Sequence, residues 1–238
     1  MRAPNRSSFR RSSARPRVIG AAVVMAAAAC TGTPAAAGQG DTTQAARLPD
    51  GDARAVSRVE SYLDGIDTMH ARFRQTSSNG ARAQGEVWID RPGKLRFEYD
   101  DPTPILLVSN GRMLLHYDKE LEQTSYVPIS ETPLWFLVRE DIDLSRIDDY
   151  ELAKVERGEA GLRLHIVQDG GAPGEPGSLT LVFADEPLRL KQWTVVDQQG
   201  IRTRVALMNP KFGVAVDSDR FDFGELDLPD QTRPGKGR

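Results

Sequence analysis

Residues 87–99 read Val87-Trp88-Ile89-Asp90-Arg91-Pro92-Gly93-Lys94-Leu95-Arg96-Phe97-Glu98-Tyr99. Val87 and Ile89, then Leu95, Phe97 and Tyr99, recur at every second position, with Arg96 and Glu98 between the last three. Successive side chains of a strand point to opposite faces. The spacing therefore predicts two strands that share one apolar face and meet at the Arg91-Pro92-Gly93 turn. The same period of two starts upstream, with Met69, Ala71 and Phe73 set against His70, Arg72 and Arg74. Downstream, Pro133-Leu134-Trp135-Phe136-Leu137-Val138 forms a compact apolar block after Ser130-Glu131-Thr132 and predicts a short helix over Pro133–Arg139. A sheet with one apolar face and a small apolar helix to cover it describes a container for something apolar.

Turn chemistry divides the rest of the chain. Strands are expected from Thr68 to the Asn79-Gly80 turn, then over Ala81–Asp90, Lys94–Tyr99, Ile105–Ser109, Met113–Asp118 and Gln123–Val127. A second series covers Tyr150–Arg157, Gly161–Gln168, Ser178–Ala184, Leu188–Asp197 and Ile201–Met208. Asn110-Gly111, between two of them, is the strongest short hairpin signal. The total is about eleven strands, nearly all in consecutive hairpins, which indicates a barrel or a sandwich. Ahead of them, Val56, Val59, Leu63 and Ile66 fall on one stripe of an amphipathic helix over Ala53–Ile66. No composition shift divides residues 53–232, which are read as one domain; 38–52 reads as a flexible leader and 233–238 as a disordered tail.

The first residues carry Arg2, Arg6, Arg10, Arg11, Arg15 and Arg17 with no acid, followed by an apolar run from Val18 to Ala29. That run is too short to span a bilayer, and Ala35-Ala36-Ala37 supplies small residues at a cleavage point. Residues 1–37 are expected to be a secretory signal peptide. Its removal would take the formal charge of the 238-residue chain from −3 to −9. A mildly acidic body argues against binding nucleic acid or an anionic membrane surface by electrostatics. Cys30, the single cysteine, is either discarded with the signal or is a lipidation site after Ala27-Ala28-Ala29.

No catalytic set can be assembled, and the chain is not expected to be an enzyme. His70, His116 and His165 lie on three different strands without metal-ligand spacing. Asp90, Asp100 and Asp101 flank turns, where Asp hydrogen-bonds locally. The Gly170–Gly174 segment is interrupted by Pro173 and reads as a loop rather than a phosphate cradle.

Several landmarks, taken in order, resemble the LolA family of periplasmic outer-membrane lipoprotein carriers. They are His70-Ala71-Arg72-Phe73-Arg74-Gln75, Gly85-Glu86-Val87-Trp88-Ile89-Asp90-Arg91-Pro92, Leu107-Val108-Ser109-Asn110-Gly111, Thr132 to Arg139, and Asp217 to Phe223. The resemblance implies an incomplete, unclosed antiparallel β-barrel with short α-helices as a lid over its concave face. It implies a periplasmic carrier that takes acylated lipoproteins from an inner-membrane lipoprotein-releasing ABC transporter to the outer membrane, where a receptor, if present, accepts them. No cofactor is implied, and a monomer is expected. The implied lipid-binding residues are Leu63, Ile66, Val87, Ile89, Leu95, Phe97, Tyr99, Leu134, Trp135, Leu137 and Phe183. The implied lid latch is Arg91, which would hydrogen-bond carbonyls around Leu137 and Val138. Leu95 departs from well-known members, where the matching position is aromatic. The competing reading is a lipid-anchored outer-membrane receptor of the same fold, tethered through Cys30. A third, a periplasmic sensor of mislocalised lipoproteins, would need a second domain.

Overall fold

A computed structural model describes residues 50–144, 149–159, 161–226 and 228. The expected signal peptide with Cys30, the leader up to residue 49 and the terminal tail lie outside the described residues. The chain opens with α1 (Asp50–Asp64). This helix starts three residues before the expected point, so residues 50–52 are helical rather than part of a leader. Its first turn is anchored: the Arg157 guanidinium donates to the Gly51 carbonyl and lies 3.4 Å from the Asp52 carboxylate. It also ends at Asp64, two residues before Ile66.

Eleven strands follow. They are β1 (Thr68–Ser77), β2 (Arg82–Asp90), β3 (Lys94–Tyr99), β4 (Ile105–Asn110), β5 (Met113–Asp118), β6 (Gln123–Pro128), β7 (Tyr150–Gly158), β8 (Gly161–Gln168), β9 (Leu179–Asp185), β10 (Leu188–Val196) and β11 (Arg202–Phe212). They form one antiparallel sheet in the order β6-β5-β4-β3-β2-β1-β11-β10-β9-β8-β7, unclosed between β6 and β7. The segment joining those two edges holds α2 (Trp135–Val138), shorter than the expected helix because Pro133 and Leu134 only lead into it. Among the described residues no helix is long and apolar enough to cross a membrane.

β11 runs four residues past the expected Met208. It does so because the ladder with β1 slips at a bulge: Arg72 faces Met208, whereas His70 faces Lys211. Asn209 and Pro210 fall in the slip, which removes the objection to proline inside a ladder.

The two faces of the sheet are covered differently. On the concave face Phe73, Val87, Leu95, Phe97, Leu164, Leu181, Phe183 and Trp193 are at most 3% exposed and pack against Val56, Val59 and Leu63 of α1 and Phe136, Leu137 and Val138 of α2. On the convex face a second cluster joins Leu106, Val108, Leu115 and Tyr117 to Phe223, Leu226 and Leu228 of the C-terminal segment. This explains why β4 is buried on both faces and reads as a continuous apolar run. Trp88 also lies on the convex side, stacked on His70 at 5.0 Å and covered by the Arg220 guanidinium at 4.7 Å.

Candidate functional site

Alternation assembles the concave floor. Leu95, Phe97 and Tyr99 point into it, while Arg96 and Glu98 point outward and pair with each other at 3.3 Å. Phe73 meets both Phe97 and Tyr99 edge to face at 5.1 Å, and Phe97 meets Trp193 at 6.2 Å. The contact between Phe73 on β1 and Tyr99 on β3 crosses β2 at Gly85, which is paired with both. A β-carbon there would lie 2.0 Å from the Glu98 carbonyl oxygen. Glycine at this point therefore lets two strand backbones and two aromatic rings close over one another.

The floor is not uniformly apolar. The Tyr99 hydroxyl donates to Gln75 Oε1 at 2.8 Å, with Gln75 only 3% exposed. Burial pushes the Tyr99 hydroxyl above the usual phenol value, opposed by this bond. Ser77 and Thr203 share a hydrogen bond at 3.1 Å on the same face. His116 stands on the inner side of β5, where burial lowers its imidazole below the usual value against the nearby Asp118 carboxylate. Tyr99→Phe is expected to cost about 1–2 kcal/mol, because it strands the buried Gln75 oxygen. A urea titration should show a lower midpoint with an unchanged slope.

Two helical elements cover the floor. α1 is held along its length: Tyr62 accepts from the Leu190 N–H at 3.1 Å and meets Phe183 and Phe212 edge to face. Glu60 and Asp64, one turn apart, accept from the backbone N–H groups of Leu144 and Ile142 at 2.9 Å each. Carboxylates near a helix C-terminus are disfavoured by the helix dipole. Here they are retained because they cap the segment that follows α2. In α2 the Phe136, Leu137 and Val138 side chains are buried, and Leu134 and Trp135 are half-buried against the same cluster.

Arg91 joins both covers to the sheet. Its Nε donates to the Leu137 carbonyl at 3.1 Å and its Nη1 to the Leu63 carbonyl at 2.5 Å. Both acceptors are carbonyls in the last turns of their helices, where intrahelical donors run out. The Val138 carbonyl is taken instead by the Gly93 N–H at 2.6 Å. Gly93 has a φ of +77°, and a β-carbon there would lie 2.7 Å from the Gly111 backbone, so the turn that presents this N–H is built for glycine. Burial lowers the Arg91 guanidinium below its usual value, with Asp64 and Asp67 opposing. It stays charged, as arginine does in proteins.

The structure thus gathers Leu63, Ile66, Val87, Ile89, Leu95, Phe97, Tyr99, Leu134, Trp135, Leu137 and Phe183 into one apolar cluster with Arg91 at its margin. The interior is filled by the covers' own side chains. An open groove of about 810 Å³ lies elsewhere, along the flank of α1 between Arg54, Arg58, Tyr62 and Leu188. Sequence reasoning missed Gln75, Glu60, Asp64 and the Leu63 carbonyl. Carrying the β1 alternation two residues past Phe73 would have placed Gln75 inside. The carbonyl and the capping role of the two acids leave no signature in residue type.

The family model described as outer membrane lipoprotein carrier protein LolA matches residues 64–224. An outer-membrane lipoprotein carrier protein from Azotobacter vinelandii is 32% identical, covering 72% of this chain and 84% of its own. One from Pseudomonas paraeruginosa is 29% identical over the same shares. A solved LolA superfamily protein from Nitrosomonas europaea is 10% identical, with a TM-score of 0.41 over 72% of this chain and 99% of its own. On the family match and the Azotobacter relative, this chain belongs to the LolA family of outer-membrane lipoprotein carrier proteins.

Proposed function

We propose that this protein is a periplasmic carrier that binds the acyl chains of lipoproteins between the concave floor and the α1 and α2 covers, without catalysing a reaction. The reading rests on one observation: a wide apolar floor whose two covers end on hydrogen bonds to a single side chain, Arg91. Covers packed by apolar contact alone would lose water-exposed area whether they lie on the floor or on an acyl chain. The Arg91 bonds exist only with the covers down, so they set a preference for the empty, shut state. Each methylene moved from water to the floor contributes roughly 0.8 kcal/mol, so unopposed acyl chains would bind almost irreversibly. Restoring the Arg91 bonds on closing offsets part of that gain and helps expel the cargo. Within this reading Arg91 is the lid latch, and Leu63, Ile66, Val87, Ile89, Leu95, Phe97, Tyr99, Leu134, Trp135, Leu137 and Phe183 contact the lipid. The cargo is loaded by an inner-membrane lipoprotein-releasing ABC transporter and handed to an outer-membrane receptor where one exists.

Photo-crosslinking side chains tests the reading. Probes at positions 95 and 97 are expected to trap acylated lipoprotein, and probes at 96 and 98 to trap little. Equal yields at all four positions, or trapping of a non-acylated variant of the cargo, would rule out binding on the floor.

A further inference from the structure

The convex face is electrostatically lopsided. Over β2 and β3 its charges are paired: Lys94 with Asp90 at 3.0 Å, Arg96 with Glu98 at 3.3 Å, Glu86 3.5 Å from His70, and Arg72 with Asp100, beyond the far end of β3, at 2.5 Å. By the β1–β2 and β10–β11 turns stand Arg74, Arg82, Arg202 and Arg204. All four are exposed, and among the described residues none has an ion-pair partner. Asp197, in the adjoining turn, is occupied by the backbone N–H groups of Gln199 and Ile201.

Register fixes where the four lie. Thr76 is paired with Arg82 on one side and Arg204 on the other, and Arg204 is paired in turn with Thr194. Arg74 lies two residues from Thr76 along β1, and Arg202 two residues from Arg204 along β11. Their outward direction follows from their inward neighbours: Ala83, Gln75 and Val205 belong to or pack on the concave cluster, and Thr203 bonds to Ser77 there. With strands about 4.8 Å apart and alternate residues about 7 Å apart, the four backbones sit within about 7–10 Å of their neighbours. Four like charges so placed repel one another, and among the described residues none of them is held in an ion pair.

We propose that this arginine cluster binds the phosphate-bearing surface of an anionic bilayer. The residues between the arginines decide the class of partner. Thr76, Thr194, Gln84 and Ala206 are small or polar, and Val196, paired with Arg202, is only 4% exposed, so no exposed aromatic or large aliphatic anchor stands among them. A protein partner needs such an apolar centre, because charged rims add little affinity by themselves. A sheet of phosphodiesters needs only basic groups near its plane, each worth about a fivefold gain in binding. The net negative charge of the chain does not prevent this, since a bilayer within a Debye length responds to the facing patch rather than to the far side of the molecule.

Flotation with vesicles tests the proposal on the exported protein. Binding is expected to phosphatidylcholine vesicles containing phosphatidylglycerol, and not to phosphatidylcholine alone. It should weaken steeply as ionic strength rises from about 0.01 M to about 1 M, where the Debye length falls from about 30 Å to about 3 Å. Arg74→Gln, Arg82→Gln, Arg202→Gln and Arg204→Gln should each weaken binding about fivefold. Lys94→Gln, an equal change in net charge among the paired residues, should change it little. Equal binding to neutral vesicles, or a quadruple variant that floats like the wild type, overturns the proposal. So does displacement by soluble polyglutamate at an equal charge concentration, which would point to an acidic protein, or by a few millimolar inorganic phosphate, which would point to a free-anion site. The four residues lie on the face opposite the floor. Crosslinking at position 97 should therefore be unchanged in the quadruple variant, and either reading can fail without the other.

Discussion

Gly85→Ala is expected to destabilise the protein by about 3 kcal/mol or more, at the upper end of what overpacking costs. The added carbon would fall 2.0 Å from the Glu98 carbonyl oxygen and 2.9 Å from the Tyr99 Cα. These are backbone atoms of the neighbouring strand, so no side chain can rotate out of the way. β2 and β3 must separate locally, which breaks ladder bonds and parts the Phe73 ring from Tyr99. For a domain of this size about 3 kcal/mol corresponds to a fall of roughly 6–12 °C in Tm. A thermal melt within about 2 °C of the wild type would mean that the strands are further apart at Gly85 than the structure places them.

Arg91→Leu should act on occupancy rather than on folding. The substitution leaves the Leu63 and Leu137 carbonyls without their donor, but only while the covers are down. Charge-assisted bonds of this kind contribute about 1.5–3 kcal/mol each. Water recovers part of the loss, so we expect the shut state to weaken by about 2–3 kcal/mol, on the order of a hundredfold in the equilibrium between shut and open. The floor itself is untouched, so cargo still enters. The variant is expected to be purified with lipoprotein attached and to release it to an acceptor far more slowly than the wild type. If it elutes empty and transfers cargo at the wild-type rate, Arg91 is a turn residue and not a latch.

The two substitutions show unequal access from sequence. Arg91 stood out because an arginine beside a Pro-Gly turn fits a known family pattern, and the Leu137 carbonyl lies where that pattern puts an acceptor. The floor was legible for a simpler reason: a period of two, repeated over strands with clear turns between them, assigns every residue to a face. Lys94–Tyr99 and Met113–Asp118 match the observed strands at both ends. The errors came where the chain escapes periodicity. β11 continues through Pro210 because a bulge excuses the proline, and a bulge depends on the partner strand. The convex-face cluster needs Phe223, Leu226 and Leu228 to fold back over β4 and β5, a contact across more than a hundred residues that no local pattern records. The importance of Gly85 is likewise a matter of what approaches it.

The order of strands in the sheet also governs how the chain reaches its native state. From β1 to β6 and again from β7 to β11, every strand pairs with its neighbour in sequence, so each half is a meander of short-range hairpins. The halves are joined in the sheet by one ladder only, β1 with β11, where Met69 meets Phe212 near opposite ends of the described chain. Hairpins form quickly, whereas a contact spanning so many residues bears a large loop-closure entropy before any reward. The floor, with Phe73 on one side of that ladder and Trp193 on the other, is therefore expected to be completed last. Until it is, both halves present their apolar faces to solvent, which makes the newly made chain itself prone to aggregation.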